Sequence, residues 1–320
     1  MKPDIERTLA LLKQNIGAAK GASGLRWQGG LSLAAFLYAQ AGRQLDADAI
    51  RGCLDLIKRS TGLLSAPRGD MSLSLATLLS LSANPQQLLT DTLEVYGLLK
   101  AAKLGGSPHL LMAAHQIASR ARPTDFGVMV ERTRALYDGM KADHRFLTGR
   151  DDYTLAAMLA LSNLDVDSAV SRIAQVYQNL DPGLGDKNGA QELAQVLTLG
   201  GGGTDAEERA VSLRAALKAR KARLYRAHGM GIIGLIALLG VDVETAADQI
   251  DQIRVALKGM SLSQSERLVL AGGIVANQYA TEGTDPTPAE AVRNSITGVV
   301  SLSAMAIILE AASAVVAAAT

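Results

Sequence analysis

A chain of 320 residues with 32 Lys and Arg against 31 Asp and Glu carries a net charge of +1, so neither a polyanion nor a polycation is its obvious partner. Nearly half of it (48%) is apolar but only 3% is aromatic, which leaves alanine and leucine to do the packing. One cysteine, Cys53, excludes an intramolecular disulfide framework.

At the N-terminus, Met1–Gly21 mixes acid and base throughout and lacks the uninterrupted apolar run of a secretory signal, so a cytoplasmic location is expected. Residues 1–24 read as an N-terminal helix. Apolar stretches then open at Leu33-Ala34, Leu75-Ala76, Met112-Ala113, Leu155-Ala156, Leu193-Ala194, Ile233-Gly234 and Leu270-Ala271, about forty residues apart. Two of them are near copies: Leu73–Ser82 (LSLATLLSLS) returns as Tyr153–Ser162 (YTLAAMLALS). Each copy is followed by a polar break and a second run, Leu93–Leu99 or Ile173–Leu180, with a shared Val-Tyr pair. The first run of each unit is apolar all round, which suits an enclosed helix. The second is amphipathic: Val170, Ile173, Val176, Tyr177 and Leu180 recur at helical spacing, with Ser171, Arg172, Gln175 and Gln178 opposite. Such units cannot bury their own apolar faces and must stack. No run alternates with period two between turn signals, so no sheet is expected. The expected fold is all-α, a right-handed superhelix of about seven αα-hairpins forming one solenoid-like domain over 1–320, ending in an Ala-rich helical segment at 286–320.

Helix-start chemistry agrees with these boundaries. Asn84-Pro85-Gln86-Gln87 supplies an N-cap, a proline where the missing N–H costs nothing, and a glutamine able to close a capping box. Thr204-Asp205-Ala206-Glu207 reads as a stronger box after four glycines, and Thr287-Pro288-Ala289-Glu290 as another. Asp165-Val166-Asp167-Ser168 and Asp242-Val243-Glu244-Thr245 read as one turn used twice, each with acid at a helix N-terminus.

Several features invite a functional reading and each has a plainer one. Arg214, Lys218, Arg220, Lys221, Arg223 and Arg226 lack interleaved aromatics other than Tyr225 and read as a solvated face rather than a nucleic-acid patch. His109, His115, His144 and His228 show no metal-ligand spacing, so no metal site and no cofactor is expected. Gly200–Gly203 follows a helix and precedes no GK[ST], so it reads as a flexible turn rather than a phosphate loop. Arg68-Gly69-Asp70 is a chance tripeptide, and no serine has a GxSxG context. No catalytic residue is identified. Ile296–Leu309 continues through Glu310 into an Ala-rich end that approaches the length of a membrane span but lacks basic flanks and an aromatic belt. A buried or interface helix is the expectation there, with membrane contact as the alternative.

The best candidate for binding is the loop from Asp143 to Tyr153, which gathers Arg145, Arg150, Asp151, Asp152 and Tyr153 before the central repeat. Its plainer reading is a helix cap from Asp151 or Asp152, with Phe146 and Leu147 plugging the gap between hairpins. The string RFLTGRDDYTLAAMLALSNLDVDSAVSRIAQVYQNL, followed by GDKNGAQELAQVLTL and YRAHGMGIIGLIALLG, resembles a bacterial all-helical family known as a domain of unknown function. That resemblance covers most of the chain after about residue 10. It implies a soluble, cytoplasmic, helical protein and assigns no catalytic residue.

The expected function is therefore a non-catalytic scaffold that binds a protein partner or a second copy of itself, the Ala-rich end being one candidate interface. The alternative is an enzyme or small-ligand binder in which the hairpins close into a ring, with Asp151, Asp152 and Asp186 converging on His228 or Lys187. An open or gently curved superhelix without a deep polar pocket fits the first; a closed ring with clustered acids at its centre fits the second.

Overall fold

The computed structural model describes residues 2–21, 30–62, 71–143, 147–184, 186–224, 229–282, 293–295 and 298–301. Among these residues every regular element is helical. Seven helices are amphipathic or polar: α1 (Pro3–Gly21), α3 (Ala47–Ser60), α5 (Pro85–Ala101), α7 (Phe126–Asp143), α9 (Val166–Leu184), α11 (Thr204–Ala219) and α13 (Val243–Ala256). They alternate with α2 (Leu31–Gln40), α4 (Ser72–Leu81), α6 (Pro108–Ala118), α8 (Tyr153–Ala160), α10 (Lys187–Leu199), α12 (Met230–Leu238) and α14 (Gln264–Glu282). This second set is enclosed: in α2 every residue from Ser32 to Ala39 is buried, and in α12 every residue from Met230 to Leu238.

Burial on all sides explains why these helices show no apolar stripe. On α2, Phe36 packs into the large core shared with α6 to α14, while Tyr38, two residues on and so on the opposite side, packs with α3 and α4 and bonds Ser80 at 2.8 Å. Each amphipathic helix packs most closely on the apolar helix that follows it, α3 on α4, α7 on α8 and α11 on α12. The hairpin register expected from the sequence, apolar helix first, is thus displaced by one helix. An apolar stripe states that a face is buried but does not name its partner.

The apolar helices follow one another side by side and return to their start. Contacts link α2 to α4, α6 to α8, α8 to α10, α10 to α12, α12 to α14 and α14 back to α2, with Leu111 of α6 packed into the α4 cluster. Polar ties cross the closure: Ser32 Oγ donates to Glu266 Oε1 at 2.7 Å, Lys20 Nζ to the Met260 carbonyl at 2.6 Å, and Lys2 pairs with Glu282 at 2.5 Å. An open superhelix requires free ends, so that expectation gives way to a closed ring.

The inner helices run parallel. Thr154 Oγ1 at the start of α8 donates to the His109 carbonyl at the start of α6, and Gln40 Nε2 late in α2 reaches Asn277 Oδ1 late in α14. Their N-termini therefore share one mouth of the ring, where the positive ends of the helix dipoles add.

Part of the chain itself lies in the lumen. Helical residues 293–295 and 298–301 enter past the C-terminal end of α6, where an Arg120 Nη2 donates to the Asn294 carbonyl. A Cβ on Gly298 would lie 2.7 Å from Met158 Sδ on α8, and one on Gly231 of α12 would lie 2.9 Å from Val299 Cγ1. A Cβ on Gly273 of α14 would meet Val300 Cγ2 at 3.0 Å. Small residues on the ring and the segment thus let the backbones approach. Ser295, Val299, Val300 and Ser301 are buried; 302–320 and the Thr287 helix start lie outside the described residues, as does Arg68-Gly69-Asp70.

The caps follow the sequence in most places. Asn84 accepts from Gln87 N at 3.1 Å, Asp165 from Ser168 N at 3.0 Å and Asp242 from Thr245 N at 2.9 Å. The Thr204 box does not form: Gly203 occupies the cap position, and Glu207 instead takes Arg172 at 2.5 Å and Asn179 at 3.0 Å across from α9. The glycine turn is tightly packed. Gly201 has φ +66°, and a Cβ on Gly200 would lie 2.3 Å from Leu238 Cδ1, so the glycines serve a left-handed turn and a close approach.

Cys53 is buried among Ile50, Ile57 and Leu89 as a small apolar residue. Arg220, from the basic run, pairs with Glu244 and Asp248 on α13, both at 2.6 Å. Because both acids are well exposed, Arg220→Ala is expected to cost about 1 kcal/mol or less in urea unfolding.

Candidate functional site

The segment before α8 makes a single 3-10 turn, Arg150–Asp152, whose third residue turns inward. Asp152 Oδ2 accepts from Gly149 N at 2.8 Å, and Oδ1 accepts from Gln195 Nε2 at 2.6 Å and Gln191 Nε2 at 3.3 Å. Gln191 Nε2 also reaches Thr148 Oγ1 at 3.0 Å. Asp152 therefore joins the α8 start to α10 instead of capping α8 through its side chain.

Of the other sequence-predicted site residues, Tyr153 is buried, its hydroxyl accepting from Gly105 N at 3.1 Å and its ring 4.8 Å from that of Tyr137. Arg150 and Asp151 stay exposed, the Arg150 guanidinium lying over Gly105, and no ion pair among the described residues joins Arg150 to either acid. Arg145 and His144 lie outside the described residues, as does His228. The four described residues, Arg150, Asp151, Asp152 and Tyr153, thus divide between wall and surface.

Sequence reasoning missed Glu192. It sits one turn into α10, and the Gly231 N–H at the start of α12 donates to its carboxylate. Protein crowds it, yet part of its side chain stays accessible. Asp186 caps α10 nearby, accepting from Gly189 N at 3.0 Å. The available signal was Gln191, Glu192 and Gln195 within an inner helix, where α2, α4, α8 and α12 carry no charged residue.

Burial pushes the Asp152 carboxyl up to about 6, helped by the Asp151 charge and opposed by the Gln195, Gly149 and Gln191 donors. Burial likewise pushes Glu192 up to about 8, with Asp152, Asp186 and Asp151 adding to the rise and the Gly231 N–H opposing it. His115, buried in α6, is driven down to about 4 and stays neutral. No group of three or more His, Cys, Asp or Glu able to hold a metal occurs among the described residues.

These shifts have a sign. A carboxyl whose folded pKa is raised binds its proton more tightly when folded, so its contribution is present at low pH and lost as pH rises to the folded value. From Asp152 and Glu192 the resistance to urea is expected to fall between about pH 4 and about pH 8. His115 acts oppositely between about 4 and 6.5, where the unfolded chain binds the extra proton. Glu192→Gln separates the two: the decline above pH 6.5 should flatten in the variant, and an unchanged slope would contradict the assignment.

The Protein of unknown function (DUF4003) family model matches residues 21–308. The chain belongs to the DUF4003 family. No curated protein and no solved structure matches it. The DUF4003 match takes in every helix from α2 to α14 and the lumen residues 293–295 and 298–301, while α1 ends where it begins. Among the described residues of this DUF4003 protein no helix is long and apolar enough to cross a membrane.

Proposed function

We propose that this DUF4003 protein is a non-catalytic helical-repeat scaffold of the bacterial cytoplasm that binds a protein partner or a second copy of itself. The repeating unit is the outer-inner hairpin, curved into a ring rather than an open superhelix. One observation carries the reading: Gly298–Ser301 of the same chain sits within the lumen, where a ring-shaped enzyme would take its substrate. The acids fit it too, because Asp152, Asp186 and Glu192 each hold a backbone N–H.

Recognition then falls to the outer helices, where Val128, Val211 and Val255 are 55%, 42% and 43% exposed. The described part of the C-terminal segment is withdrawn from that role by its burial. Sedimentation velocity over a wide concentration range, combined with photo-crosslinkers at Val128, Val211 and Val255 in cells, tests the proposal. A defined adduct or a concentration-dependent mass supports it. A monomer at every concentration, with no adduct at any of the three positions, overturns it.

A further inference from the structure

The outer layer opens where α9 meets α11. α9 packs more closely on α7 than on α11, and α11 more closely on α13 than on α9. Two ties span the gap: Glu207 takes Arg172 and Asn179 across it, and Arg214 Nη2 donates to the Leu184 carbonyl at the end of α9 at 2.6 Å. Beside these ties lies a surface groove of about 510 Å³. Leu180 and Glu207, both buried, form its floor, and Asn179, Thr204, Glu208 and Val211 surround it. Val211 is 42% exposed there, an apolar side chain that no element among the described residues covers.

The charge around the groove is negative. Arg172 neutralises Glu207, and Arg214 is turned to the negative C-terminal end of α9. That leaves Glu208 and Asp205, both exposed and in no ion pair among the described residues, against roughly half a positive charge from the start of α11. The carboxylates prevail.

We propose that this groove docks a basic, apolar segment of a protein partner, with one apolar side chain against Leu180 and Val211 and an adjoining arginine or lysine beside Glu208. Long basic side chains bury their methylene stems on apolar surface while the charged head stays in water, which matches an exposed valine one turn from an exposed carboxylate. The inserted apolar side chain supplies most of the affinity, and the rim charge selects against acidic segments. The inference rests on the scaffold reading and narrows it to one face and one partner chemistry.

The test uses the full chain with methyl-labelled valine and follows the Val211 signals by nuclear magnetic resonance on titration with acetyl-leucyl-arginine amide. Acetyl-leucyl-citrulline amide, the uncharged isostere, and acetyl-leucyl-glutamate amide serve for comparison. Saturable shifts at Val211 are expected with the arginine peptide, the citrulline peptide binding about threefold more weakly at low salt and the glutamate peptide more weakly again. Glu208→Lys, a change at an exposed position, should reverse the order of the charged peptides, an effect that a merely structural role for Glu208 would not produce. Silent Val211 signals, equal binding of the three peptides, or an unchanged order in Glu208→Lys would each overturn the proposal. A concentration-dependent mass that is lost in Val211→Ser, without any peptide response in the parent, would make the occupant a second copy and overturn it likewise. Silent Val211 signals together with a crosslinked adduct at Val128 or Val255 would remove this groove and leave the scaffold reading in place; the absence of every adduct and of self-association would remove both.

Discussion

Val300→Asp is expected to lower the unfolding free energy by about 3–5 kcal/mol, because a carboxylate would be left uncompensated inside the ring. Val300 is fully buried, its Cγ2 lies against Gly273, and the Phe36 ring packs on the same glycine. Urea unfolding of the full chain measures the loss. The shape-preserving Val300→Thr should cost only about 1–3 kcal/mol, the penalty for burying a hydroxyl. A Val300→Asp protein that unfolds at the parent's midpoint would mean that the segment does not occupy the lumen. Ending the chain near Thr284 should act in the same direction, since it uncovers the apolar wall that Gly298–Ser301 covers.

Leu159→Ala should cost about 2–5 kcal/mol, the range for a buried leucine that leaves a cavity. Its reach is the more informative quantity. In an open stack of hairpins, stability is a sum over neighbours, so damage at α8 would fade with distance. In a ring, α8 is tied to α2 in both directions, through α6 and α4 and through α10, α12 and α14. The slowest amides of α2 and α14 should therefore lose protection together with those of α8 in native-state hydrogen exchange. Loss confined to α7–α10 would contradict ring closure.

Much of the architecture could be read directly from residues. The all-round apolar runs at Leu73–Ser82 and Tyr153–Ser162 announced enclosed helices, and Asn84, Asp165 and Asp242 marked helix starts that their side chains do cap. These are local matters, decided within one helical turn by periodicity and by which side chain can reach a free N–H. Glu207 shows where local reasoning stops: its spacing from Thr204 suits a capping box, but Arg172 and Asn179 on α9 offer a charged partner and a second donor. A charge-assisted bond outweighs a neutral one, and nothing in the 204–207 stretch reports that an arginine will be there.

The candidate site was half legible for the same reason. Asp152 stood out because it sits beside Asp151 and Arg150, yet its partners Gln191 and Gln195 are about forty residues away, and Glu192 meets Gly231 at a similar remove. Sequence alone determined the helices, their order, the caps at Asn84, Asp165 and Asp242 and the need to stack, since each follows from side-chain chemistry at short range. Tertiary structure alone decided which apolar helix each amphipathic one covers, that the seventh hairpin meets the first, and that Gly298–Ser301 sits within the ring. Those outcomes rest on how small offsets between successive hairpins accumulate around the ring, a sum that no single stretch of residues contains.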